Sequence, residues 1–215
     1  MTARGARKGE GSHAALRVVA ISGSLRARNL TRRALEVALR GAAAEGALTE
    51  MLDLSAMEIP FCDERRDDSS YPEDVLRLRR SVGAAHGILL GSPEYHGSMS
   101  GSLKNAIDLL QIAQVEGKMV GLIAVAGGSQ SATGTLAHMR TICRHLHAWV
   151  VPKQVSISRI TDAFGSDGHL KDPAHEERLL EVGREVAHYA RLHFGLTRPL
   201  VPVPRPASVP SSKRS

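Results

Sequence analysis

Cysteine is almost absent from this chain: of 215 residues only Cys62 and Cys143 carry a thiol. They stand far apart, in neither a Cys-x-x-Cys pair nor a disulfide framework, so a reducing compartment, and with it a cytoplasmic localisation, is expected. Long apolar runs are missing too. No stretch is long enough to span a membrane, and the first fifteen residues, MTARGARKGEGSHAA, hold no apolar core of the length a secretory signal needs, so neither membrane insertion nor export is expected. A basic face is also lacking, despite a formal charge of +6. The excess lies at the ends, +2 in residues 1–16 and +4 in residues 196–215, whereas the body between them balances 21 basic against 21 acidic residues. Attraction for a polyanion therefore belongs to the ends and not to a folded groove, and no nucleic-acid partner is expected.

Absent motifs narrow the chemistry further. Gly97-Ser98-Met99-Ser100-Gly101 has the outline of a hydrolase nucleophile turn, but Met99 stands where the serine must be. The segment SGSLRARNLT, residues 22–31, contains neither Gly-x-Gly-x-x-Gly nor Gly-x-x-x-x-Gly-Lys-Ser/Thr, so the dinucleotide fingerprint and the nucleoside-triphosphate loop are both excluded. His138, Cys143, His145 and His147 lie close in sequence. On a helix, however, positions 145 and 147 point about 160 degrees apart, and no carboxylate sits beside them, so no metal site is expected.

What is present is an alternation. RVVAI, 17–21, is a short valine-rich run ending at Ser22-Gly23-Ser24, the way a buried strand meets a turn. From Leu30 the apolar positions Leu30, Ala34, Val37 and Ala38 recur at helical spacing, and Gly41 and Gly46 are expected to mark that helix's fraying end. ALTEMLDL reads as strand two and GILLGS, 87–92, as strand three, with a helix between them whose inner stripe is Val75, Leu78 and Val82. A helix to about Ala113 follows, then KMVGLIAVAGG as strand four, a helix over roughly 130–146, AWVVPKQV as strand five, and a last helix outlined by Leu179, Val182, Gly183, Val186 and Ala190.

Strands that alternate with helices, and are apolar on both faces, call for a parallel sheet covered on both sides. The expected fold is an α/β three-layer sandwich of flavodoxin-like type, five parallel strands in the order 2-1-3-4-5, spanning residues 17–195 between a basic tail, 1–16, and a Pro-rich basic tail, 196–215. The second tail holds five of the ten prolines and reads as extended or disordered. In this topology ligands sit beyond the carboxyl ends of strands one and three, where the winding reverses. The loop after strand one offers hydroxyls, the Arg26 guanidinium and the unpaired amides of a helix starting near Leu30, which together suit a phosphate monoester. Asn29 is equally a helix N-cap. The loop after strand three, GSPEYHGSMSGSLKNAIDLL at 91–110, lies beside it.

Taken together, GSLRARNLT and GSPEYHGSMSGSLKNAIDLL resemble the signatures of the NAD(P)H-dependent FMN reductases, which include flavin, quinone, azo-dye and chromate reductases of flavodoxin-like fold. The first matches that family's Gly-Ser-Leu/Pro-Arg phosphate loop, the second its Pro-Glu-Tyr loop followed by Gly-x-Leu-Lys-Asn-x-Ile/Leu-Asp, and the likeness extends over about residues 17–155. The resemblance implies FMN as cofactor, NADPH or NADH as hydride donor, a small-molecule electron acceptor such as a flavin or quinone, ping-pong use of one site, and a homodimer or homotetramer. By that resemblance Ser24, Arg26, Asn29 and Thr31 hold the FMN phosphate, with Leu30 among them, Pro93, Glu94, Tyr95 and His96 line the flavin ring, and Gly127, Gly128 and Ser129 close its other edge. In parts of the family Asn replaces His96, and Ser and Asn replace Asn29 and Thr31. No side-chain acid is expected to be catalytic, and Glu94 is expected to order its loop. Lys104, Asn105 and Asp108 are expected on a helix surface or interface. The rival reading is a flavodoxin-type electron carrier without NAD(P)H oxidation. Such carriers look acidic and flank the ring with aromatics, whereas this body is neutral and offers only Tyr95. A third reading, a non-redox nucleotide-binding module, has no bound flavin.

Overall fold

The computed structural model describes residues 15–65, 67–165 and 168–197. The two expected tails lie largely outside the described residues. Among the described residues six strands form: β1 (Arg17–Ser22), β2 (Leu48–Asp53), β3 (Gly87–Tyr95), β4 (Ser98–Met99), β5 (Met119–Val125) and β6 (Trp149–Ile157). The helices are α1 (Leu30–Ala44), α2 (Glu73–Ala84), α3 (Gly101–Asp108), α4 (Ile112–Val115), α5 (Thr133–His145), α6 (Ile160–Ala163) and α7 (Pro173–His193). The main sheet is parallel in the order β2-β1-β3-β5-β6, which is the expected five-strand flavodoxin-like order. The addition is β4, two residues that fold back antiparallel on the end of β3.

Period-two side-chain direction divides the strands between two cores. Val18 and Ala20 of β1 face α1 and α7, together with Leu89, Ile123, Val155 and Ile157. Their neighbours Val19 and Ile21 face the other way, toward Leu78 and Val82 of α2, Leu103 of α3 and Leu136 and Met139 of α5. Cys143 belongs to this second core at 1% exposure, and burial pushes its thiol up to about 12. Among the described residues no helix is long and apolar enough to cross a membrane.

Three features differ from the sequence expectation. Gly41 does not mark a fraying end: α1 runs on to Ala44, and it is Gly46, at φ +79°, that turns the chain out of it. Gly41 instead lies in the crossing of α1 with α7, where a Cβ would stand 2.1 Å from the carbonyl oxygen of Leu180, and Gly183 opposite would put one 1.8 Å from that of Ala38. The helix expected to reach Ala113 stops at Asp108, the carbonyl of Leu109 accepting the Arg79 Nε at 2.7 Å, and a separate short turn, α4, follows. In β6, Pro152 falls at a register shift. Val120 faces Val150 but Leu122 faces Gln154, so the extra residues bulge out, which is how a strand accommodates a residue without an N–H. The bulged Lys153 N–H donates to the Glu185 carboxylate at 3.1 Å and its Nζ pairs with Glu181 at 3.0 Å.

Because α1 and α7 touch backbone to backbone, a single methyl at Gly183 forces the layer apart. Gly183→Ala is expected to lower unfolding free energy by about 3 kcal/mol. Gly101→Ala, where a Cβ meets nothing within 4 Å, is expected to be neutral or slightly stabilising. Denaturant unfolding of the two variants checks the pair, and equal effects would dismiss the crossing as the cause.

Candidate functional site

At the carboxyl ends of β1, β3 and β5 the loops enclose a cleft of ≈ 460 Å³, a size ordinary for small-molecule sites. One wall is the turn from β1 into α1: Ser24, Arg26, Arg28, Leu30 and Thr31 line it. This turn is tightly built. The Gly23 N–H donates to the Gly91 carbonyl at 2.8 Å, so the turn starts locked to β3. Asn29 caps α1, its Oδ1 accepting the Arg32 N–H at 2.9 Å, while its Nδ2 reaches the Ser24 carbonyl at 2.9 Å and the Asp53 carboxylate at 3.1 Å. Asn29 therefore spends its side chain inside the turn and does not line the cleft. Beyond the cap, the N–H of Thr31 has no intrahelical carbonyl to meet, and the positive end of the helix dipole points the same way.

The second wall is Pro93, Glu94, Tyr95 and His96. These residues do not form a loose loop. Pro93 is still paired with Val125 in the sheet, and Glu94 and Tyr95 pair with Met99 and Ser98 across a two-residue turn. His96 at φ +52° and Gly97 at φ +80° both adopt the left-handed conformation that such a hairpin turn requires. Helix α5 holds the hairpin from behind. Buried Thr135 donates its hydroxyl to Glu94 Oε2 at 3.1 Å, His138 Nδ1 lies 2.9 Å from Ser98 Oγ, and a Cβ on Gly134 would sit 2.8 Å from the Gly97 carbonyl. Glu94 is thus a strut of the hairpin. Across the mouth, the Arg26 guanidinium leans over the Tyr95 ring at 5.9 Å.

The third wall is Gly127 and Gly128 after β5, with Val125. Neither glycine has a positive φ, and a Cβ on either meets nothing within 4 Å. The protein's own packing has no need of glycine there, since the space a side chain would fill is the cleft itself. Such a wall fits a flat ring laid against main chain. Ser129 is exposed and does not line the cleft. Ile160 and Thr161 do, and sequence reasoning missed them. They follow β6 at a residue, Arg159, held at φ +46°, so the strand's periodicity ends before them; the rule that ligands gather at strand carboxyl ends was the available signal.

The other residues singled out in the sequence serve separately. Lys104 and Asp108 form an exposed ion pair at 2.7 Å, whereas Asn105 is turned inward, accepting the Cys62 N–H at 2.9 Å and donating to the Pro60 carbonyl at 2.8 Å. His147, at φ +56°, faces Glu116 at 3.4 Å, and His145 stands in the last turn of α5.

A family model described as NADPH-dependent FMN reductase matches residues 16–162 of this chain. The chain is 32% identical over 147 residues, 68% of its length and 76% of the relative's, to an NAD(P)H-dependent FAD/FMN reductase of Geobacillus thermodenitrificans. It is 33% identical over 144 residues, 67% of its length and 78% of the relative's, to an NADPH azoreductase of a Bacillus species. Among solved structures, an oxidoreductase from Corynebacterium diphtheriae superposes with a TM-score of 0.66 at 21% identity, covering 82% of this chain and 97% of that one.

Because Asn29 is used both as cap and as donor to a carboxylate, Asn29→Ala is expected to cost about 1–2 kcal/mol of stability. Asn29→Asp is expected to be no better than Ala: it keeps a cap oxygen but sets a second carboxylate against Asp53. Thermal unfolding of both variants tests this, and wild-type stability in the Asp variant would refute the donor role.

Proposed function

Because the chain belongs to the NADPH-dependent FMN reductase family, we propose that its cleft holds FMN, takes hydride from NADPH or NADH, and passes two electrons to a flavin, quinone or similar small acceptor in ping-pong fashion. The observation that carries this reading is the wall at Gly127 and Gly128, left without side chains where the fold itself has no use for the space. Bound there, FMN supplies the redox chemistry, accepting hydride at its ring and delivering two electrons onward.

The chain's own residues bind, orient and shield. Thr31, Ser24 and the first turn of α1 offer amides, a hydroxyl and a favourable dipole to the phosphate. Arg26 lines the same wall, its guanidinium over the Tyr95 ring. Its exposed contact with Tyr95 is worth about 0.5–1 kcal/mol, less than the roughly 1.5–3 kcal/mol of a charge-assisted bond to phosphate, so the phosphate wins the guanidinium when it binds. The hairpin presents main chain from Pro93 to His96 toward the ring edge, and its ties to Thr135 and His138 keep that main chain in register. No side chain needs to carry a proton for hydride to move between two cofactors. A single cleft at the carboxyl ends of the strands among the described residues, in a chain with neither nucleotide fingerprint, supports alternating occupancy by donor and acceptor.

Removing Arg26 separates phosphate from ring. Arg26→Ala is expected to weaken FMN about 10- to 150-fold while leaving riboflavin, which has the ring but no phosphate, nearly unchanged. Calorimetric titration of both ligands decides, and an equal loss for both, or none for either, would take Arg26 out of the phosphate site. For the mechanism, double-reciprocal plots of initial rate against NADPH at several acceptor concentrations are expected to be parallel. Intersecting lines would mean a ternary complex and a separate nicotinamide site.

A further inference from the structure

Of the described residues that line the cleft, two carry a guanidinium, and binding of FMN accounts for one of them. Arg26 lies over the Tyr95 ring at 5.9 Å and is the group proposed for the flavin phosphate. Arg28 lines the same wall, and its side chain has no ion pair or hydrogen bond among the described residues. Arg32, one turn further on, is by contrast neutralised, by Glu36 at 3.0 Å and Asp53 at 3.5 Å. Asp53 is also committed to Asn29 and Ser55, so it is not left over for Arg28. Depth separates the groups further. Ser24 and Thr31 are each 2% exposed and lie at the base of the wall, whereas Arg28 is exposed and stands at its rim. An unpaired guanidinium on the rim of an anion site is open to a second anion.

We infer that Arg28 receives the 2′-phosphate of NADPH and so sets this chain's preference for NADPH over NADH, an inference that rests on the reading of the cleft as an FMN site. For hydride to pass, the nicotinamide must lie within about 3–3.5 Å of the flavin ring. The donor's adenosine end must then leave the cleft over one of its walls. The hairpin wall carries the Glu94 carboxylate, which repels phosphate, with His96 beside it. The side made by Gly127, Gly128, Ile160 and Thr161 carries no charge. The turn after β1 holds both guanidiniums, so charge draws the donor's phosphates across it. The 2′-phosphate belongs to the half of the donor remote from the nicotinamide, where a rim residue meets it. It is also a terminal monoester with three acceptor oxygens and a charge of about −1.5 to −2, the kind of group a planar guanidinium fork holds by two parallel bonds. NADH has only a ribose hydroxyl at that place, to which a cation gives little. Arginine meets the same phosphate in dinucleotide sites of other topology.

The experiment compares the full FMN-loaded chain with its Arg28→Ala and Arg28→Lys variants. Anaerobic reduction of the bound flavin is followed against NADPH and against NADH, and calorimetry measures the affinity for FMN and, with FMN bound, for adenosine 2′,5′-bisphosphate and AMP. The wild-type chain is expected to favour NADPH, and Arg28→Ala to cut the ratio of NADPH to NADH efficiency about 10- to 100-fold. The loss is expected in the half-saturating NADPH concentration and not in the limiting rate, because the contact is the same before and during hydride transfer. Adenosine 2′,5′-bisphosphate is expected to weaken by about the same factor, AMP by less than about twofold, and Arg28→Lys, which keeps the charge without the fork, to recover part of the loss. Equal losses for both donors would move Arg28 to the pyrophosphate or to the fold, a matching loss of FMN affinity would make it a second ligand of the flavin phosphate, and an unchanged ratio would leave it a solvated arginine. Each of these overturns the inference while the FMN site stands. A wild-type chain that binds no FMN overturns that reading and this inference together.

Discussion

The carbonyl of Gly23 is the joint on which the site depends. It accepts two hydroxyls, from Ser100 at 2.7 Å and from Ser102 at 2.6 Å, while the N–H of the same residue is bound to Gly91. Ser100 in turn gives its own N–H to Ser92 at 2.9 Å. The turn after β1, the end of β3 and the start of α3 are thereby fastened at one buried point, where a stranded carbonyl costs about 1–3 kcal/mol. A Cβ on Gly23 would fall 2.6 Å from that of Leu103, so the elements close on each other with no room to spare. The spacing between the phosphate-side wall and the hairpin wall follows from this joint, which ties both walls to the end of β3.

The strands and most helices were legible because each rests on local periodicity, and their alternation called for the parallel sheet. Val18 to Ile21 alternate between two cores, and Leu30, Ala34, Val37 and Ala38 line one helical face; both patterns survive in a bare string of letters. What stayed hidden depends on a partner distant in the chain. Gly41 looks like a helix end until Leu180 is placed against it. Asn29 looks equally like a cap or a phosphate ligand until Asp53, 24 positions away, claims its amide. The strand β4 is two residues long and owes its existence to the left-handed pair His96 and Gly97, a turn without the usual asparagine or aspartate at its first position.

The site residues divide the same way. Ser24, Arg26, Leu30 and Thr31 reach the cleft, as do Pro93 to His96 and the glycines at 127 and 128, because topology alone sends those loops there. Asn29 and Ser129 sit in the same loops yet line no part of it. A loop's destination is written in the order of strands, but the direction of each side chain in it is settled by hydrogen bonds that no spacing encodes. Thr135 and His138 illustrate the converse: residues of the first two turns of α5 that no loop signature points to, they are the supports of the hairpin.

The burial of Cys143 bears on how such a protein ages. Flavins that accept hydride also lose electrons to oxygen, and the peroxide that results attacks sulfur as thiolate and scarcely as thiol. With its ionisation pushed up to about 12 and only 1% of its surface exposed, Cys143 offers no thiolate and no approach at physiological pH. A core thiol is in this way kept chemically inert, and oxidative wear falls on whatever stands nearer the surface.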